Sequence, residues 1–122
     1  MNKFLFTFSI CSALTFSSCR TKDCCDNLPT QFSSYDQAVS KIESSEFKIK
    51  EEANTSKSSW IKNASYYSCN GLTGYFILET SKIKYLYSDL SYQKWKEFKA
   101  AESFGSFYNE NIRDKYNFDL TK

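Results

Sequence analysis

The 122-residue chain contains no histidine, one proline and three glycines. Without histidine, the imidazole-dependent catalytic dyads and triads and all histidine metal sites are excluded. The scarcity of glycine and proline excludes a low-complexity linker through the middle of the chain. The formal net charge is only +2, and a strongly basic nucleic-acid-binding protein would carry far more.

Aromatic residues, in contrast, are abundant, with eleven phenylalanines and nine tyrosines. The length accommodates one domain. The carboxylates between residues 79 and 110 are scattered and no motif pairs them, and Cys69 has no histidine to activate it. The chain has five cysteines, and a set of three cysteines without histidine is a poor metal site in a short chain. We therefore expect no enzymatic activity, no cofactor and no metal.

The first nineteen residues have the order of regions found in a secretory signal peptide. Lys3 gives a short positive region, and Phe4 to Phe16 is an apolar run that is too short and too polar to span a bilayer. Two serines then precede Cys19. We therefore predict that residues 1–18 are a signal peptide and not a structural helix.

A cysteine after small residues resembles the signal of bacterial lipoprotein precursors. Phe16 stands where leucine is usual, as in the looser signals of the Bacteroidetes. In that class the cysteine thiol accepts a diacylglycerol and becomes the mature N-terminus. The resemblance implies that Cys19 is acylated and holds the protein on a membrane of the bacterial cell envelope, on its periplasmic or surface face. Each buried methylene contributes about 0.8 kcal/mol to such an anchor.

Residues 19–31 are predicted to be a tether, because they are polar, lack a period and hold the only proline. The tether contains Cys24 and Cys25. Two alternatives follow for the thiols that remain once Cys19 is acylated. One of the adjacent pair forms a disulfide with Cys69, since disulfides persist outside the cytoplasm, or the thiols stay free in a reducing setting.

Residues 32–57 are predicted to form a short helix and a strand that extend the C-terminal domain. The helix is predicted from Ser34 to Glu43, because Ser34 and Gln37 have the spacing of a capping box and apolar residues follow at helical spacing. Phe47 and Ile49 then alternate with charged residues, which is typical of one face of a half-buried strand.

The segment from residue 60 to residue 87 predicts an antiparallel sheet. Trp60 to Cys69 has the composition of a strand, with one slip in its alternation that is typical of a β-bulge. The following Asn-Gly sequence predicts a turn. Tyr75 to Thr80 and Ile83 to Tyr87 then predict a tight hairpin, with alternate residues of the second strand on one face.

Two helices are predicted after the hairpin. Ser91 caps the first, in which Trp95 and Phe98 lie at helical spacing, and we expect both side chains in the core. Gly105 either ends this helix or lets two elements approach closely, and a last helix continues to Tyr116. The predicted fold is α+β: a small antiparallel sheet of three or four strands, with one N-terminal helix and two C-terminal helices packed on it.

The C-terminal half contains three spaced motifs that belong together. A serine and spaced apolar positions fit Ser59, Ile61, Ala64 and Tyr66. A Tyr-x-Tyr motif falls on Tyr85-Leu86-Tyr87, and an aromatic residue of the next helix is Trp95. A closing pattern, Ser-x-Gly-x-aromatic-aromatic-Asn-x-x-Ile-basic, falls on Ser103, Gly105, Phe107, Tyr108, Asn109, Ile112 and Arg113.

Together these motifs resemble the KTSC domain, which occurs alone in small bacterial proteins and at the C-terminus of some lysyl-tRNA synthetases. We assign residues 58–118 to this domain. The chain departs from the family pattern at Ser91, where proline is frequent, at Lys82, where glycine is common, and at Glu79, which replaces an apolar residue. The function of the family is not established, and RNA binding has been suggested from the synthetase association.

Nucleic-acid binding would use strand aromatics and nearby polar residues. The candidate binding residues are Tyr85, Tyr87, Lys84, Lys99, Asn109 and Arg113. The alternative is that the two tyrosines pack in the core under the helix that carries Trp95. Residues 58–118 contain eight basic and six acidic side chains, so the net positive charge of this segment attracts phosphate only weakly. In addition, an envelope lipoprotein does not meet tRNA. We therefore predict little or no nucleic-acid binding.

The sequence as a whole favours a lipid-anchored binding or interaction domain of the cell envelope, with an unidentified envelope protein as partner. One alternative is an RNA-binding module. Another is an immunity-type lipoprotein that blocks a toxin.

Overall fold

The described part of the chain contains seven elements of secondary structure in the order αββββαα. The computed structural model describes residues 28–29 and 31–120. The predicted signal peptide, Cys19, Cys24 and Cys25 lie outside the described residues. The elements are α1 (Tyr35–Ser44), β1 (Ile49–Ala53), β2 (Asn63–Ser68), β3 (Thr73–Glu79), β4 (Lys84–Ser91), α2 (Tyr92–Ala100) and α3 (Phe104–Asn111).

The four strands form one antiparallel sheet in which each strand pairs with its neighbour in sequence, in the order β1-β2-β3-β4. Together with one N-terminal and two C-terminal helices, this sheet confirms the predicted α+β fold. The bulge predicted in the second strand is wrong. The irregular register lies between Gly74 and Phe76 where β3 pairs with β4, whereas the β2–β3 register is continuous.

Helices α2 and α3 cover one face of the sheet with an aromatic core. Trp95 and Phe98 have no exposed surface, as their helical spacing predicts. The Trp95 ring stacks on Tyr66, with centroids 5.5 Å apart, and on Phe98 at 5.8 Å. Phe76 of β3 meets both helix residues edge to face. This cluster holds the C-terminal helices on the sheet.

Helix α1 covers the opposite face. Its buried residues Ala38, Val39 and Ile42 pack with Ile77 of β3 and Leu86 of β4 in a second, smaller cluster. Strand β3 is central and therefore buried on both faces, because its successive side chains point alternately into the two clusters.

The chain between α1 and β1 changes face at Lys48. Phe47 packs against the α1 cluster, whereas Ile49 packs against the α2–α3 cluster. The prediction that these two residues share one strand face is therefore wrong. The reason is that β1 begins only at Ile49, and Lys48 lies in a bend, so that the two-residue period does not extend back to Phe47.

The N-terminus of α1 is capped as predicted, with one change in the partner of Gln37. The Ser34 hydroxyl accepts a hydrogen bond from the Gln37 backbone N–H at 3.1 Å. The Gln37 carbonyl oxygen accepts from the backbone N–H of Ser33 at 2.7 Å, one residue earlier than a capping box requires.

The outer edge of β4 is covered by two other parts of the chain. The Tyr35 hydroxyl of α1 donates to the Leu86 carbonyl at 2.9 Å and accepts from the Leu86 N–H at 2.7 Å. After α3, which ends before the predicted Tyr116, the Asn117 carbonyl accepts from the Ser88 N–H at 3.1 Å. These bonds satisfy backbone groups that would otherwise be open to pairing with another strand.

Cys69 follows directly after β2 and is disulfide-bonded. It is the only cysteine among residues 28–29 and 31–120. The partner cysteine therefore lies outside that part of the chain, and its assignment to Cys24 or Cys25 stays a prediction.

Candidate functional site

The six candidate binding residues do not form one site. Lys84 lies on the α1 side of the sheet, where its ammonium group pairs with the Glu43 carboxylate of α1 at 2.9 Å. This hydrogen bond raises the pKa of Lys84. The pair joins β4 to α1, so Lys84 contributes to the fold at a distance from the other candidates.

Lys99 also serves the fold, at the opposite edge of the sheet. Its ammonium group pairs with the Glu51 carboxylate of β1 at 2.7 Å. The same carboxylate accepts hydrogen bonds from the Trp95 indole N–H at 2.8 Å and from the Tyr92 hydroxyl at 2.9 Å. The pKa of Glu51 is lowered from its ordinary value, and the hydrogen bond from Lys99 is the largest cause. Glu51 therefore joins three residues of α2 to the first strand.

The two tyrosines of the Tyr-x-Tyr motif differ in their surroundings. Tyr87 is half-buried, and its hydroxyl forms a short hydrogen bond with the Tyr108 hydroxyl of α3. Burial, followed by this bond, raises the pKa of Tyr87. Tyr85 is 38% exposed. The alternative that both tyrosines pack in the core therefore holds in part for Tyr87, which packs half-buried against the α2–α3 cluster, and is wrong for Tyr85.

Asn109 lies on α3 and Arg113 just after it, and both are exposed. The Arg113 guanidinium donates a hydrogen bond to the Asn109 side-chain oxygen at 3.5 Å. Other residues of the closing pattern have clear roles in the fold. The Ser103 hydroxyl caps α3 by accepting from the Ser106 N–H at 3.1 Å, and Ile112 has no exposed surface. The fold therefore does not explain the choice of asparagine at 109 or of a basic residue at 113.

A surface groove of about 450 Å³ opens beside Asn109. The loop before β2 forms one wall, and the α2–α3 connection with the first turns of α3 forms the other. Its lining residues are Lys57, Ser58, Ser59, Trp60, Glu102, Ser103, Phe104, Gly105, Ser106 and Asn109.

Trp60 lies in this groove with 39% of its surface exposed. The Ser58 hydroxyl accepts the Trp60 backbone N–H at 3.3 Å, and the indole meets the Tyr108 ring edge to face at 5.9 Å. A Cβ atom added at Gly105 would lie 2.7 Å from the indole nitrogen. Glycine at 105 is therefore what lets the indole rest against α3.

Lys57 closes one end of the groove. Its ammonium group donates to the Ala101 carbonyl at 3.3 Å and lies 4.9 Å from the centre of the Phe104 ring. These contacts join the loop to the connection between α2 and α3, so the two walls of the groove are held together.

Sequence reasoning missed Trp60 as a surface residue, because it placed Trp60 inside a strand that begins only at Asn63. Two signals pointed to the groove. The first signal is the polar run of six residues directly before Trp60. Such a run predicts a loop, and a tryptophan that follows a loop has fewer neighbours than one within a sheet. The glycine of the closing pattern was the second signal, since it was expected to permit close approach of two elements.

Comparison with known families gives one match. The KTSC domain matches residues 79–116. Residues 79–116 therefore match a KTSC domain, as the motifs predict, and the matched segment spans β4, α2 and α3. The opening motif, from Ser59 to Tyr66, precedes the matched segment. Comparison with curated proteins and with solved structures gave no match.

Two further features concern the described part of the chain. Within residues 28–29 and 31–120, no three acidic, cysteine or histidine side chains come together as a set able to hold a metal ion. In the same part of the chain, no helix is both long enough and apolar enough to cross a membrane.

Proposed function

We propose that the protein is a small, lipid-anchored binding domain of the bacterial cell envelope, held on the membrane by acylated Cys19. The observation that carries the proposal is the disulfide at Cys69. Disulfides form and persist in oxidising compartments such as the periplasm and the cell surface. The order of charged, apolar and small residues before Cys19 supports the same location.

Binding accounts for the surface of the described part of the chain better than catalysis does. Glu43 and Glu51 are engaged by lysines that join helices to the sheet. The exposed aromatic residues Trp60 and Tyr85 and the exposed pair Asn109 and Arg113 offer contact area and hydrogen bonds. Aromatic and arginine side chains dominate the energetics of binding surfaces.

Replacing Cys19 with serine is expected to abolish palmitate labelling and to release the protein from membranes or leave it as an unprocessed precursor. The thiol is the acceptor of the lipid, and a hydroxyl does not replace it. Metabolic labelling with palmitate, fractionation and globomycin treatment of the wild type measure this. Cys11→Ser is the matched control, because it changes another cysteine of the same segment and should label normally.

Normal labelling of the Cys19→Ser protein would contradict the lipid anchor. Equal loss of labelling in the Cys11→Ser and Cys19→Ser proteins would also contradict it, because the acceptor would then not be specific to residue 19.

Nucleic-acid binding is expected to be weak or absent. Lys84 and Lys99 are engaged in ion pairs, and the Tyr87 hydroxyl is bonded to Tyr108. Few phosphate contacts and one exposed strand aromatic, Tyr85, remain. We expect no specific retardation of tRNA or of a single-stranded oligonucleotide at micromolar protein and about 0.15 M salt.

The contrary result would be submicromolar binding that is lost in Tyr85→Ala and that weakens with salt at a slope near −0.7 per phosphate contacted. The control for the variant is its circular dichroism spectrum, which should match that of the wild type because the Tyr85 side chain is exposed.

A further inference from the structure

We propose that the groove beside Trp60 is a saccharide-binding site, which takes an uncharged sugar chain by stacking one ring on the indole. The inference goes beyond the proposed function and does not depend on the lipid anchor. It rests on the exposure of the indole, the unused hydrogen-bonding groups around it and the balance of charge in the groove.

The indole is exposed and also held in place. Trp60 is backed by Tyr108 and rests on Gly105 without an intervening Cβ atom. A large aromatic side chain that keeps 39% of its surface open is therefore presented at a fixed position. A fixed flat surface loses little conformational entropy when a ligand covers it, and this favours binding.

Polar groups surround the indole and have capacity left for a ligand. The hydroxyls of Ser59 and Ser106 and the Asn109 amide nitrogen form no hydrogen bond with other described residues. Hydroxyl groups both donate and accept, whereas the amide nitrogen donates. A ligand rich in hydroxyl groups can satisfy both kinds of partner along the same edge.

The charges in the groove are balanced. Lys57 supplies one positive side chain and Glu102 supplies one negative side chain, and both line the groove. The Lys57 ammonium group already donates one hydrogen bond to the Ala101 carbonyl. A phosphate chain would meet the Glu102 carboxylate with little positive charge to offset it, so a nucleic-acid strand is disfavoured relative to an uncharged ligand.

A pyranose ring fits these features because its two faces present C–H groups and its rim presents hydroxyl groups. The apolar face would cover the indole and the rim would meet the serines and Asn109. The groove volume of about 450 Å³ falls within the range of small-molecule sites, which is about 300–1,000 Å³. Its open side allows a chain of several sugars to continue past the site.

The test uses the two tryptophans of the chain, of which Trp95 is fully buried. Acrylamide quenching of tryptophan emission therefore reports mainly on Trp60. The probes are a trimer of N-acetylglucosamine, which represents peptidoglycan-like chains, and a trimer of glucose, which represents neutral polysaccharide. They are added to the full chain purified in detergent with its disulfide intact. We expect saturable protection of Trp60 by at least one of them.

Asn109→Ala is expected to weaken that binding about tenfold, measured by the same quenching titration. Trp60→Ala, measured by calorimetry because the reporter is lost, is expected to abolish it. Tyr85→Ala is the matched control, because Tyr85 has nearly the same exposed fraction as Trp60 but does not line the groove. It should bind as the wild type does. Unchanged circular dichroism establishes that each variant is folded.

No protection by either trimer at millimolar concentration would overturn the proposal. Binding that survives Trp60→Ala would also overturn it, because the sugar would then lie elsewhere. Protection by a single-stranded oligonucleotide with none by the sugars would assign the groove to nucleic acid instead. These measurements use purified protein, so they can fail or succeed independently of the palmitate labelling that tests the anchor.

Discussion

Replacing Trp95 with alanine is expected to lower the free energy of unfolding by about 3–5 kcal/mol, which is typical of an indole removed from a packed core. Trp95 has no exposed surface and contacts Tyr66, Phe76 and Phe98 through its ring. The substitution removes these contacts and leaves a cavity between α2 and the sheet.

The substitution also removes the Trp95 N–H that donates to Glu51. Trp95→Phe separates the two effects, because it keeps an aromatic ring but has no N–H, and it should cost less than Trp95→Ala. Urea denaturation followed by circular dichroism measures both variants.

Trp60→Ala is the matched control for Trp95→Ala, because it makes the same chemical change at a residue that is 39% exposed. It should cost about 1 kcal/mol, as expected for a partly exposed side chain. A loss below about 1 kcal/mol for Trp95→Ala, or equal losses for the two tryptophans, would contradict the assignment of Trp95 to the core.

Loss of the Cys69 disulfide is the second large effect that we expect. Removal of a native disulfide from a small secreted domain costs about 2–5 kcal/mol, in part because the unfolded chain gains freedom. Cys69→Ser should therefore shift the urea midpoint strongly. Dithiothreitol should reduce the midpoint of the wild type to that of the variant.

Serine substitutions at Cys24 and Cys25 identify the partner. One of them should destabilise the protein to the level of Cys69→Ser, and the other should leave the urea midpoint unchanged and serve as the matched control. Wild-type stability in both single variants would show that Cys69 pairs elsewhere, and the predicted connection to the tether would then be wrong.

Features set by neighbouring residues in the sequence were predicted well. Ser34 and Ser91 cap their helices as their spacing indicates. Trp95 and Phe98 are core residues because a helix places them on one face. In each case the partner or the period lies within a few residues, so tertiary contacts do not decide the outcome.

Features set by distant contacts could not be predicted. Phe47 and Ile49 enter different clusters because the chain bends between the two faces of the sheet. The register irregularity lies between Gly74 and Phe76 where β3 pairs with β4. Gly74 also approaches β2 closely, because an added Cβ atom would lie 2.9 Å from the Ser68 Cα atom. The alternation pattern of one strand contains no information on how closely its neighbour approaches.

The candidate site shows the same limit. The basic character of Lys84 and Lys99 predicts a binding role, but each pairs with a glutamate more than forty residues earlier in the chain. Asn109 does line a groove, but it does so together with Trp60. Three strands and helix α2 lie between these two residues in the chain. The family pattern identified Asn109, whereas only the fold shows that Trp60 lines the same groove.

If Cys19 is acylated as we propose, the position of Cys69 has a consequence for how the domain is placed on the membrane. A disulfide from Cys69 to Cys24 or Cys25 would leave five or six residues after acylated Cys19, a reach of at most about 20 Å. The end of β2 would then face the bilayer closely. Trp60 precedes the start of β2, at the other end of a strand about 20 Å long. The groove would then lie about one strand length from the lipid, and Trp60 would remain accessible to a quencher confined to water.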